Sequence, residues 1–225
     1  GAWCGPHRSG SRRCGTGGRV NAPRLQAPRW RAALGLLLAA VLALTPVRAL
    51  LEASMLRHML VQAPLLLLAG ALLASAAGPG LRAALARWNV LGISGLVAAG
   101  AVLGLLMVPR VLDLALAEPA VEAAKFALLL LAGAALALSW RPAGLLVQAF
   151  FLGNMLPMTA VAGQLYADSP VRVCNAYLLD DQARLGEWLI ALACAAAVLW
   201  LAQVARTVVL REERTGRQDA IEKIA

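Results

Sequence analysis

One apolar stretch of the chain opens with the run Met55-Leu56-Arg57-His58-Met59. On a helix, positions 55, 58 and 59 share a face, so an imidazole meets two thioethers there. Thioether sulfur is a soft donor that favours Cu(I), and imidazole suits copper among several metals. The competing reading is plain packing: methionine fills gaps between helices, and one histidine at a helix end is an ordinary interfacial residue. The other methionines weigh against that reading. Met107 lies near the end of a later apolar run and Met155 and Met158 in one half of another, so all 5 Met fall toward one side. Met155 and Met158 therefore join Met55, His58 and Met59 as candidate metal ligands.

The segment from Ser169 to Gln182 is the most distinctive in the chain. Asp180 and Asp181 precede the last apolar run, where carboxylates cap a helix and complement its dipole; they also offer oxygen ligands and an entry funnel for a metal ion. Cys174 is a redox or metal candidate, or an inert small residue. Lys125, with Glu122 three residues earlier, reads as a paired lysine snorkelling to the interface, with a proton or substrate role as the alternative. Asn154 and Pro157 interrupt an apolar run; they mark either a kink, with Asn154 bonded to a neighbouring helix, or a site.

The spacing of the 4 Cys matches neither a disulfide framework nor a zinc site. Gly-x-Ser-x-Gly, a phosphate-binding Gly-Lys loop and His-Glu-x-x-His are all missing. The chain reads as a non-enzyme.

The elements that must position these residues follow from composition. Of 225 residues, 60% are hydrophobic and 15% charged, and the mean hydropathy is +0.71. A soluble globular domain is about half apolar and about a quarter charged, so the expected fold is all-α, a polytopic transmembrane helical bundle. Apolar runs at 32–49, 55–77, 90–108, 120–139, 143–163 and 187–209 mostly reach the roughly 20 residues that a crossing requires. That predicts five or six spans, because the first can also be a cleaved signal peptide with Val47-Arg48-Ala49 as its cleavage site. The division expected is a leader over 1–19, upstream of a start at Val20; a signal peptide or first span over 20–49; the bundle over 50–210; and a polar cytoplasmic tail over 211–225.

The net charge of +9 does not point to nucleic acid, since the basic residues cluster at the ends of apolar runs. The N-terminal arm, a loop at 78–89 with Arg82 and Arg87, the turn at Arg141 and the tail from Arg206 are basic; the loops at 109–119 and 164–186 lack that excess. By the positive-inside rule the first group is cytoplasmic. Trp30, Trp88 and Trp140 fall at that boundary and Trp188 at the opposite one. The expected location is a bacterial-type inner (plasma) membrane, multi-pass, with the C-terminus in the cytoplasm.

The stretch Arg57-His58-Met59-Leu60-Val61-Gln62-Ala63-Pro64-Leu65-Leu66-Leu67-Leu68-Ala69-Gly70 resembles the His-Met helix with its Pro-Leu-Leu run in the CtaG-type cytochrome c oxidase assembly factors. Leu179-Asp180-Asp181-Gln182-Ala183-Arg184-Leu185-Gly186 is similar to the acidic, glutamine-containing segment before one of that family's last helices. The resemblance spans about residues 55–205. It implies a polytopic protein associated with copper supply to the oxidase at the outer face, with His58 and Met59 as ligand candidates and Asp180, Asp181 and Gln182 as the outer motif. The function expected is therefore copper handling for assembly of a respiratory cytochrome oxidase, a chaperone role. Its partners would be membrane lipid and an oxidase subunit or copper donor protein. The alternatives are a metal-free accessory or assembly subunit of a membrane complex, and a small transporter.

Overall fold

Runs of Leu and Ala make good helices, and prolines divide them at defined places. The computed structural model describes residues 29–174 and 176–222; the expected leader over 1–19 and the start at Val20 lie outside them. Nine helices follow among the described residues, with no strand: α1 (Arg29–Ala43), α2 (Thr45–Glu52), α3 (Met55–Ser75), α4 (Pro79–Trp88), α5 (Ile93–Leu106), α6 (Pro109–Ala117), α7 (Pro119–Ser139), α8 (Gly144–Asp168) and α9 (Leu179–Glu222). Pro46, Pro79, Pro109 and Pro119 each stand in the first turn of a helix, where the missing N–H has no partner to lose.

Four helices, α3, α7, α8 and the Leu179–Leu210 part of α9, are long and apolar enough to cross a membrane. Two bent pairs, α1 with α2 at 70° and α4 with α5 at 85°, bring the candidate crossings to as many as six. The fold is thus the expected all-α bundle, consistent with a membrane protein. Two segments expected as loops are helical instead. α4 occupies the 78–89 stretch, and α6 occupies 109–117 and buries Leu112 and Ala115. In both, a proline starts the helix and apolar residues at helical spacing give it a face. The last helix also runs on beyond the expected span, to Glu222.

Close backbone approach holds the bundle. α3 packs most extensively on α7, and α8 on α9. A Cβ on Gly70 would strike the Leu130 carbonyl, and one on Gly133 the Leu67 carbonyl. Across the other pair, a Cβ on Gly163 would sit 2.7 Å from the Gly186 carbonyl, and one on Gly186 would meet the Gly163 carbonyl. Small residues at such crossings are how helices associate in lipid, where apolar side chains gain little by leaving the hydrocarbon. Large apolar residues such as Leu146, Phe150, Val161 and Leu199 accordingly stay on the outside.

The bundle has two unlike ends. α1 and α3 meet at one of them, where Arg31, Ala74 and Ser75 border a common cleft with Arg82 and Arg141. At the other, the start of α3 meets α6, the start of α9 and the end of α8 in a core of Met55, Leu112, Tyr166, Cys174, Tyr177, Leu185 and Leu189. A second core of Leu42, Leu66, Leu106 and Leu129 fills the middle. Leu42 brings α1 into that core.

Candidate functional site

The site begins with a local irregularity. Pro64 has no N–H, and its ring cannot pass the carbonyl one turn earlier. Ahead of it α3 widens into a π turn over His58–Gln62, in which the Ala63 N–H reaches the His58 carbonyl. Such turns are rare and concentrate at functional sites. The wider turn brings His58 and Gln62 onto one face, and both side chains are buried.

They meet α7 and α2. Lys125 Nζ donates to His58 Nε2 at 2.9 Å and to Gln62 Oε1 at 3.4 Å. It also pairs with Glu122 Oε2 at 2.8 Å and with Glu52 Oε1 at 3.6 Å. Gln62 Nε2 donates to Glu52 Oε1 at 3.3 Å. Arg48 Nε lies 3.6 Å from Glu52 and 3.7 Å from Glu122, closing the group from α2. Lysine has donors only, so His58 must accept at Nε2; its Nδ1–H then donates to the Tyr177 hydroxyl, 2.7 Å away. With His58 neutral, two cations and two carboxylates balance. Lys125 is only 3% exposed. It pairs with Glu122 as the spacing predicts, but it is buried in the bundle and does not snorkel.

Beyond Tyr177 the environment turns soft. Met55 is fully buried in the core that holds Cys174 and Tyr177, and Met59 and Met107 pack against it. The Tyr166 hydroxyl donates to the Met107 carbonyl at 2.9 Å. Cys174 and Tyr177 lie between the spans. Burial, and then the charge of Asp113, push the Cys174 thiol up to about 11, so it is protonated at neutral pH. Burial also raises the Tyr177 hydroxyl, helped by the charge on Glu52.

The candidate ligands fall into three places. Met55, His58 and Met59 gather at the start of α3. Met155 and Met158 turn toward α5: the Met155 sulfur would lie 3.6 Å from a Cβ on Gly100, and the Met158 methyl 3.1 Å from one on Gly104. Asp180 and Asp181 sit in the first turn of α9. Asp180 is exposed, and Asp181 borders a shallow cleft with Arg57, Arg184 and Trp188. Gln182 is the buried member of that motif. Its Oε1 accepts from the Val173 N–H at 2.8 Å and its Nε2 donates to the Tyr166 carbonyl at 3.2 Å, pinning the 171–173 segment to α8. Asn154 bonds the Phe150 carbonyl of its own helix at 2.7 Å rather than a neighbouring helix. No group of three or more His, Cys, Asp or Glu among the described residues is placed to hold a metal ion.

Sequence reasoning missed Arg48, Glu52, Gln62 and Tyr177 as members of the polar group. Gln62 had a usable signal in its four-residue spacing from His58; Glu52 and Tyr177 had none, since each arrives from another element. No protein-family model, no curated protein and no solved structure matches the chain.

Proposed function

We propose that this protein is a multi-pass membrane protein that takes Cu(I) as its cargo at the methionine-rich end of the bundle and passes it on during assembly of a respiratory cytochrome oxidase. The observation that carries this reading is the convergence of Met55, Met59 and Met107 on one core beside the His58–Tyr177 pair. Thioethers hold Cu(I) softly enough to release it. His58 Nε2 becomes a donor to the ion only when Lys125 leaves it; Lys125 then keeps Glu122, Glu52 and Gln62 as partners. Met155 and Met158 provide a second sulfur station along α5, and Asp180 and Asp181 an acidic approach. The oxidase as destination, and an oxidase subunit or copper donor as partner, rest on the resemblance to the CtaG-type factors. The positive-inside rule puts the arginine-lined end and the C-terminus in the cytoplasm of a bacterial-type inner membrane, and the methionine-rich end outside.

The test is anaerobic titration of the purified protein with Cu(I) against a chromophoric Cu(I) chelator. One ion per chain is expected, lost in Met55→Leu/Met59→Leu and weakened in His58→Ala. Zero copper in the wild type, or equal copper in all variants, sinks the reading.

A second reading, a metal-free accessory subunit, has one observation in its favour: both ring nitrogens of His58 already have partners. It expects no copper at any stage, and loss of complex assembly when Lys125 is replaced.

A further inference from the structure

At the end of the bundle opposite the methionines, α1, α3, α4, α5 and the α7–α8 turn enclose a cleft of about 970 Å³. Arg31, Arg82 and Arg141 line it, and no Asp or Glu does. None of the three arginines has an ion-pair partner among the described residues, where the pairs are confined to Arg48 and Lys125. Three guanidinium groups with no carboxylate among the lining residues border one hollow, an arrangement that an anion complements. Hydrogen bonds tie two of the cleft's walls. Arg82 is fixed by donating to the Ser75 and Ala74 carbonyls at the end of α3, through one nitrogen, which leaves its other N–H groups free to bond elsewhere. On the opposite wall Asn89 donates to Ser139 Oγ at 2.7 Å and accepts from Ser94 at 3.0 Å.

The helix that carries Arg82 bears on the depth of the cleft, and its Leu85 and Trp88 also line it. α4 is amphipathic: Leu81, Leu85 and Trp88 fall on one helical face, and all three are exposed, Trp88 by 85%. The helix stands 85° from α5. An exposed apolar face on a short basic helix turned across a bundle is the geometry of a helix lying in the membrane interface, and exposed tryptophan belongs at the same level. A helix lying there would hold Arg82, and the cleft it borders, at the level of lipid phosphates.

We propose that this cleft binds a phosphate-bearing anion, held by Arg31, Arg82 and Arg141 at the membrane surface. Guanidinium matches phosphate oxygens in paired hydrogen bonds, and basic pockets between membrane helices hold anionic headgroups. The same chemistry can be satisfied by the headgroup of an anionic phospholipid or by a soluble phosphate, and the experiment separates the two.

The full chain is placed in nanodiscs of phosphatidylcholine alone or mixed with phosphatidylglycerol, and the lipid retained on gentle detergent extraction is measured by native mass spectrometry. In parallel, inorganic phosphate and pyrophosphate are titrated into the phosphatidylcholine sample while thermal unfolding is followed. The variant is Arg31→Gln/Arg141→Gln, both exposed positions; Arg82 is kept because it caps α3. Retention of phosphatidylglycerol by the wild type that falls roughly 30-fold in the variant supports the site with a lipid occupant. Stabilisation by phosphate or pyrophosphate that the variant abolishes, without lipid retention, supports it with a soluble one. Retention and stabilisation that are both absent, or both unchanged in a variant that unfolds at the wild-type temperature, overturn the proposal.

Discussion

Lys125 is the residue on which the polar end of the bundle closes. It touches His58, Gln62, Glu52 and Glu122 together, and its removal leaves two carboxylates facing Arg48 alone. Breaking a buried ion pair by deleting one partner costs about 3–5 kcal/mol, whereas replacing the whole pair by apolar residues is close to neutral. Lys125→Met should therefore lower the unfolding temperature in detergent markedly, and Lys125→Met/Glu122→Leu should recover most of the loss; a double variant no better than the single would refute the pairing. The i, i+3 relation of Glu122 and Lys125 was readable beforehand because both lie on one helix. Their link to His58 was not, because sequence spacing carries no information on which helix stands opposite which.

Among the elements, the helix contacts divide the glycines into those that matter and those that do not. Gly133 faces the Leu67 carbonyl, whereas Gly80 has nothing within 4 Å of where its Cβ would lie. Gly133→Ala should destabilise by about 1–3 kcal/mol or more through forced separation of α3 and α7. Gly80→Ala, in the exposed α4, should be neutral or stabilising by up to about 1 kcal/mol. Thermal unfolding of the two variants side by side checks the contrast, and equal effects would contradict it. The apolar runs themselves were legible, since a crossing demands length and hydrophobicity that no loop has. α4 and α6 were read as loops because their charges report on topology and say nothing of helicity; their prolines at the first turn and their apolar spacing were the signals that outweighed them. The π turn follows from Pro64, a residue quoted for the family resemblance but not for its effect on the backbone.

Across the whole molecule the two ends differ in chemistry, and that difference predicts sidedness. The arginine-lined cleft should face the cytoplasm and the 174–181 segment the outside. Cys174 is a poor probe of this, being buried with its thiol pushed up to about 11. The exposed positions Ala176 and Gly80 are better. In a chain whose own cysteines are replaced, a membrane-impermeant maleimide should label Ala176→Cys in intact cells and Gly80→Cys only after lysis; the reverse pattern would invert the topology and remove the methionine-rich end from the outer face.

Composition, run length and the placement of arginine determined by themselves that this is a bundle of membrane-length helices with basic residues gathered toward one end. Those properties depend on the solvent each residue prefers, which every residue carries alone. The joining of His58 to Lys125 and Tyr177, the parting of Met155 and Met158 from Met55 and Met59, and the gathering of three arginines around one hollow were decided only by the tertiary structure. Each depends on which faces of which helices meet, and close glycine crossings, Gly70 on the Leu130 carbonyl and Gly133 on the Leu67 carbonyl, set that through the shape of the packed backbone rather than the polarity of any single residue.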